Sequence, residues 1–196
     1  MTFPEVQTLL DGITVGGYKI EDEKQVLNQE KALELLLSLV KDDKFKLDKE
    51  TFMNLNYYVS LEESLAPGKF RTGAVTIGGT NYIPPAANEL DRIFEEGKEE
   101  ILKIENSITR GFVLFGFCSR NQFFWDGNKR TARLMTNGLL MDNGCPVLNI
   151  KAENSLEFNK IMVKFYDTDD YNILLSYLIP YYKQEVLTQG FEILGQ

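Results

Sequence analysis

With 196 residues, 43% of them apolar, the chain is long enough for one core of ordinary size and short for two, so residues 1–196 read as a single domain. A net charge of −8 with 21 scattered basic residues argues against a nucleic-acid binder, which needs clustered Lys and Arg. Two cysteines, Cys118 and Cys145, have no metal-binding spacing; with no N-terminal signal pattern and no apolar run of about 20 residues, the reading is a reduced, cytoplasmic protein off the membrane.

The predicted elements begin at Thr2-Phe3-Pro4-Glu5, a helix start with Thr2 as N-cap, and this first helix ends at Asp11-Gly12. Residues 13–19, around Gly16-Gly17, read as a turn or small hairpin. Val26, Leu27, Ala32, Leu33, Leu35, Leu36 and Leu39 recur at helical spacing and predict a helix from about Glu21 to Val40. Asp48 caps the next, Lys49 to Leu65, with Phe52, Leu55, Tyr58, Val59 and Glu62 in phase and Pro67-Gly68 as its stop. Residues 69–85 change character. Val75 and Ile77 alternate, Gly78-Gly79 supplies a turn, and Thr80 to Ile83 returns before Pro84-Pro85, which predicts one β-hairpin in a helical chain. An isolated two-stranded hairpin is marginally stable and persists when something packs on it or pairs with its edge.

Ala86 to Ile104 is helical again, with Glu95, Glu96, Glu99 and Glu100 on a solvated face, and Ser107 is placed to cap the apolar segment Ile108 to Cys118. A second apolar pattern, Leu134 to Met141, ends at Asn143-Gly144. Helices over Ser155 to Tyr166 and Tyr171 to Leu178 follow, with Pro180 as the stop and a further short helix expected over Tyr182 to Leu187. Phe158, Phe165, Tyr166 and Tyr177 fall at core spacing and are assigned to packing.

Between the two apolar segments lies the polar stretch from Gln122 to Arg133. Asp126-Gly127-Asn128 opens a helix, where unpaired N–H groups and a partial positive charge favour an anion, and Gly127 lets backbone approach it closely. Arg130, Arg133 and Asn137 follow at spacings of three and four, on one face of that helix. Guanidinium forks there suit phosphate oxygens, and Asp126, the one carboxylate in the cluster, suits Mg²⁺ held jointly with phosphate. The plainer alternative is an Asp helix cap followed by solvated basic residues.

The longer pattern Phe-x-Asp-Gly-Asn-Lys-Arg-x-x-Arg, residues 124–133, resembles the signature of the Fic (Fido) family, His-x-Phe-x-(Asp/Glu)-Gly-Asn-(Gly/Lys)-Arg-x-x-Arg, and the resemblance spans about residues 5–180. It implies an all-α, Fic-type helical bundle in which a central helix-loop-helix carries the motif over residues 120–133, with one β-hairpin flap at 69–85. It makes Phe124 the packing anchor, Asp126 the Mg²⁺ ligand, and Gly127, Asn128 and Lys129 the nest around nucleotide phosphates. Arg130 and Arg133 become clamps on the terminal phosphates, and Asp126, Asn128 and Arg130 join position 122 as the catalytic set. The flap, through Val75, Thr76, Ile77, Thr80 and Tyr82, would hold a protein target by strand addition. Gly68-x-Phe70-Arg71 before it and Tyr82-x-Pro84-Pro85 after it also resemble the family.

One position breaks the match. Gln122 stands where the family has its catalytic His, and the chain contains no histidine at all. An amide has no titratable group near neutral pH and cannot take the proton of an attacking hydroxyl. Phe123 also departs from the usual Pro. Thr188 to Glu192 weakly matches the family's inhibitory Ser/Thr-x-x-x-Glu pattern, in which Glu192 would meet Arg133.

The resemblance therefore implies an AMP transferase-like protein that binds ATP with Mg²⁺ and moves AMP to a protein hydroxyl, with catalysis impaired or altered by the lost His. A non-catalytic nucleotide- and protein-binding module and, because Lys129 matches the Doc branch, a phosphotransferase stay open beside it. The expected partners are ATP or a related nucleotide and a protein docked on the flap, with no nucleic acid and no membrane; a homo-oligomer is left open.

Overall fold

The computed structural model describes residues 1–17 and 19–189, and its regular structure is helical, as the apolar periodicity requires. The α-helices are α1 (Phe3–Leu10), α2 (Ile20–Lys41), α3 (Lys49–Val59), α4 (Leu90–Leu102), α5 (Ser107–Asn121), α6 (Asn128–Asp142), α7 (Ser155–Thr168) and α8 (Tyr171–Thr188), with short 3-10 turns at Ala87–Glu89 and Ala152–Asn154. The fold is all-α. Tyr18, in the turn predicted over 13–19, lies outside the described residues.

The helix-loop-helix of α5 and α6 is the centre. The α3 and α2 helices pack on α6, α4 and α8 pack on α5, and α7 leans on α8. Phe112, Phe115, Leu114 and Cys118 of α5 and Ala132, Met135 and Leu140 of α6 are buried against these neighbours. Asp48 caps α3 by accepting from the Thr51 N–H at 2.8 Å. Asn106, not Ser107, caps α5 by accepting from the Thr109 N–H at 2.9 Å.

Three predicted boundaries shift for identifiable reasons. Helix α3 stops at Val59 rather than Leu65, because the Ser60 hydroxyl donates back to the Asn56 carbonyl and side-chain oxygen, and Glu62 at φ 64° cannot continue a right-handed helix. The freed turn is tied to α2 by the Asn28 amide, which donates to the Leu61 carbonyl at 2.7 Å. Helix α8 runs through Pro180 instead of stopping there. Leu174, Leu178, Tyr182 and Val186 repeat every four residues and are all buried, while Pro180 and Ser176 face water, so the carbonyl that Pro180 leaves unpaired is solvated.

The third shift is the hairpin. Residues 69–85 do alternate, with Gly73, Val75 and Ile77 half-buried between exposed Ala74 and Thr76, and they reverse at Gly78-Gly79. No strand ladder joins the two legs among the described residues; the β-pairing here is a single antiparallel bridge from Phe70 to Phe124 of the motif loop. The returning leg ends in Pro84-Pro85, which have no N–H to donate. The legs are joined instead by Arg71, 2% exposed, which donates to the Gly73 carbonyl at 2.7 Å and the Pro85 carbonyl at 2.6 Å.

One buried side chain ties the helices to the loop between α5 and α6. Asn56 donates to the Asp126 carbonyl at 3.0 Å and the Thr131 hydroxyl at 3.1 Å, and its oxygen accepts from the Gly68 N–H at 3.1 Å. Asn56→Leu keeps the branched shape but strands these groups in the core, and is expected to lower stability by about 3 kcal/mol in urea unfolding. Asn54→Ala, on the exposed face of the same helix, is expected to stay within about 0.5 kcal/mol.

Candidate functional site

The loop from Gln122 to Gly127 begins where α5 ends in a left-handed residue, Gln122 at φ 49°, and ends in another, Gly127 at φ 74°. Gly127 has no substitute, because a Cβ there would sit 2.7 Å from Val59 Cγ1 in a backbone conformation that L side chains rarely adopt. Between them Phe123 and Phe124 turn inward, both fully buried. Phe123 meets the rings of Phe52, Phe70, Phe94 and Phe117 at 5.0–5.6 Å between centroids, and Phe124 meets Phe52 at 4.7 Å. Where the resembling pattern has Pro, this chain inserts a ring into the core.

Asn128 locks the loop. Its amide donates to the Phe124 carbonyl at 2.8 Å and the Gln122 side-chain oxygen at 3.1 Å, and its oxygen accepts from the Phe124 N–H at 2.8 Å. Gln122 also donates to the Ser119 carbonyl at 2.6 Å, so its side chain is held on both ends. Arg71 donates from Nε to the Gln122 carbonyl at 2.6 Å, joining the base of the 69–85 segment to the same residue.

Helix α6 then starts with open donors: among the described residues the N–H groups of Asn128, Lys129 and Arg130 find no acceptor, whereas that of Thr131 returns to the Gly127 carbonyl at 2.8 Å. They stand beside a cavity of about 610 Å³, bounded by Thr76 and Ile77 of the extended segment, by Gln122 and Trp125 to Arg130 of the motif, and by Asn159, Met162, Val163 and Tyr166 of α7. The Lys129 ammonium donates to the Asn159 side chain at 2.8 Å. Desolvation and the nearby Arg133 guanidinium both pull its pKa below the ordinary lysine value. Asp126 has a half-exposed carboxylate whose Oδ1 accepts from the Gly127 N–H and lies 3.6 Å from Arg130.

The two motif arginines differ. Arg130 lines the cavity, but its fork is filled by Glu63, with contacts of 3.1 and 2.8 Å, and it also donates to the Val59 carbonyl. Arg133 does not line that cavity; it borders neighbouring ones shared with Lys129 and Arg130 on one side and with Gln29 and Leu33 of α2 on the other. It makes no hydrogen bond or ion pair among the described residues, and burial followed by repulsion from Arg130 lowers its pKa. Asn137, on the same helix face, is committed to the Leu148 backbone at 2.8 and 3.2 Å. Glu192 lies outside the described residues.

Of the five residues predicted for a flap, Thr76 and Ile77 reach the cavity, and Val75 stands half-buried beside them. Thr80 and Tyr82 instead fasten the segment to the far wall: Thr80 donates to Asp167, and the Arg120 guanidinium lies 3.9 Å over the Tyr82 ring while pairing with Asp169. Sequence reasoning missed Glu63, Asn56, Trp125 and the α7 wall. Trp125 could have been found from its place inside the motif; the others come from distant parts of the chain whose spacing carries no sign of the contact.

The chain matches the model of the Fic/DOC family over residues 46–140. It is 27% identical over 166 residues to the protein adenylyltransferase Fic of Drosophila melanogaster, covering 81% of this chain and 33% of that protein, so it spans about a third of the length of that relative. Among solved structures it resembles Fic-1 (residues 134–508) of C. elegans, with a TM-score of 0.79 at 19% identity over 96% of this chain and 57% of that one. It also resembles a Fic family protein of Desulfovibrio desulfuricans, with a TM-score of 0.78 at 14% identity over 100% and 62% of the two chains.

The ion pair at Arg130 has a pH signature. Burial alone would raise the Glu63 pKa, but hydrogen bonds from Arg130 and Gln25 outweigh it and the net shift is downward. A carboxylate depressed in the folded state contributes stability that is fully present above its unfolded pKa, about 4.3, and is lost as pH falls through the lower folded value. Glu63→Gln is expected to be about 1.5–3 kcal/mol less stable than the parent near neutral pH, with the gap closing as urea midpoints are followed down to about pH 3.

Proposed function

We propose, from the match to the Fic/DOC family model over residues 46–140 and the likeness to Fic proteins, that the chain is a Fic-type protein that binds a nucleotide with Mg²⁺ at the α6 opening and is an AMP transferase-like protein whose chemistry is impaired by Gln122. The observation that carries this reading is the row of N–H groups at Asn128, Lys129 and Arg130 that find no acceptor among the described residues, beside a cavity large enough for a nucleotide, with the Lys129 ammonium on its wall and no carboxylate of the described residues paired to it. An anion there would receive three backbone donors, the helix dipole and one side-chain cation.

The donor set fits Mg²⁺ of the kind nucleotides carry. No group of three or more His, Cys, Asp or Glu able to hold a metal occurs among the described residues, which argues against an all-protein cage. Asp126 is a single half-exposed carboxylate on the cavity wall, suited to an ion that takes one carboxylate and completes its shell with phosphate oxygens and water. When bound, the ion would neutralise developing charge on the phosphates. Asp126 would hold it, Lys129 and the α6 N–H groups would orient the phosphates, and the segment from Val75 to Ile77, which lacks a pairing partner among the described residues, would receive an extended segment of a protein target.

Gln122 occupies the place of the proton acceptor, and its amide is held by Ser119 and Asn128. That observation supports a second reading, a binding module that no longer transfers. The ring of Phe123 belongs to the core, so the single change Gln122→His is the appropriate gain-of-function variant. Loss of a general base typically costs 10²- to 10⁴-fold in rate, and restoring an imidazole of pKa about 6.5 is expected to recover AMP transfer by roughly that factor. Transfer is read with α-labelled and γ-labelled ATP in lysate, and binding by calorimetry with Mg·ATP. Label from the α-position alone means nucleotidyl transfer and from the γ-position alone phosphoryl transfer. Heat of binding without label in either protein means a binding module. No heat at millimolar Mg·ATP would overturn the nucleotide reading itself.

A further inference from the structure

The chain has one tryptophan, Trp125, inside the motif loop and on the wall of the cavity. The aromatic residues around it behave differently. Phe123 and Phe124, its immediate neighbours, are sealed in a cluster of rings with Phe52, Phe70 and Phe94. Trp125 is half-buried, meets no other ring, and its indole N–H finds no acceptor among the described residues. Burying an indole usually comes with a partner for its N–H, and an open face on a cavity wall is where planar ligands are held.

Its position is nevertheless set. The edge of the six-membered ring lies against the backbone of Gly73, where a Cβ would come within 2.8 Å of Trp125 Cη2, so any larger residue there would displace the ring. Gly73 is itself fixed through its carbonyl by buried Arg71. An indole braced at one edge loses little entropy on binding and offers its face without rearrangement. The same cavity carries Ile77, Met162 and Val163, apolar and polarisable groups suited to a flat ring, while its anion-binding features lie at Gly127 to Arg130. The cavity lining thus combines apolar groups, Trp125 among them, with groups that favour negative charge.

We propose that Trp125 is a specificity-determining residue of this cavity that stacks on the base of the bound nucleotide. The inference rests on the nucleotide reading above and adds to it a source of affinity independent of phosphate. A base stacked on an aromatic side chain is worth roughly 5- to 100-fold in affinity.

Because Trp125 is the sole tryptophan, its emission reports on this site alone. Saturating Mg·ATP is expected to quench it, and Mg·tripolyphosphate, which has no base, is expected to leave it unchanged. By calorimetry, Trp125→Ala is expected to weaken Mg·ATP by roughly 5- to 100-fold while tripolyphosphate stays within about twofold, and Trp125→Phe is expected to retain most of the affinity. Circular dichroism verifies that each variant is folded. Equal losses for ATP and tripolyphosphate would mean that the ring only shapes the motif loop, and would overturn the proposal. So would ATP binding with unchanged emission in the unaltered protein, which would leave nucleotide binding intact and place the base elsewhere. Failure of the unaltered protein to bind either compound overturns the nucleotide reading and this inference together.

Discussion

The site depends on a buried amide. Asn56 reaches from α3 into the turn that opens α6 and pairs with backbone on both sides of it, the Asp126 carbonyl and the Gly68 N–H, and with the Thr131 hydroxyl. A loop that turns two fully buried phenylalanines into the core must leave its own polar backbone groups somewhere, and each one left unpaired away from water is costly. Asn56 and Asn128 between them supply those partners. The consequence is functional. With the loop satisfied from inside, the first N–H groups of α6 need no partner from the protein and stay available to an anion.

Charge around this opening is sorted rather than pooled. A chain of net charge −8 brings Lys129, Arg130 and Arg133 to one small cavity, and among the described residues only Arg130 of the three is paired with a carboxylate. Gln25 of α2 also donates to Glu63, so the N-terminal half of that helix is coupled to Arg130 through one carboxylate. Arg133, mostly desolvated and without a counter-ion among the described residues, is the more costly cation to keep. Its repulsion of Arg130 and Lys129 makes this corner a place where incoming negative charge lowers the energy of three groups at once.

The extended segment and the motif behave as one unit. Arg71 holds both legs of the segment and the Gln122 carbonyl with a single guanidinium, and the Phe70–Phe124 bridge adds a backbone link. Shape at the cavity therefore comes from side-chain staples in place of a strand ladder. Among the described residues, the backbone of residues 74–77 finds no partner, a geometry suited to strand addition.

Local rules read from the sequence alone determined much of this protein. Apolar spacing placed the helices, Asp48 and Thr2 marked two of their starts, and the Asp126-Gly127-Asn128 turn between two apolar segments located the opening of α6, because each of these signals lies within a few neighbouring residues. Gln122 and the absence of histidine were equally legible. Tertiary structure alone decided the rest. Whether α8 would pass Pro180 depended on burial of Leu178 and Tyr182 against other helices. The pairing of 69–85 depended on Arg71 and two prolines, and the difference between Arg130 and Arg133 on a glutamate 67 residues away in sequence. Periodicity fixes which face of an element is apolar, but it is blind to which distant side chain arrives at a given polar group, and that arrival sets charge and access at the site.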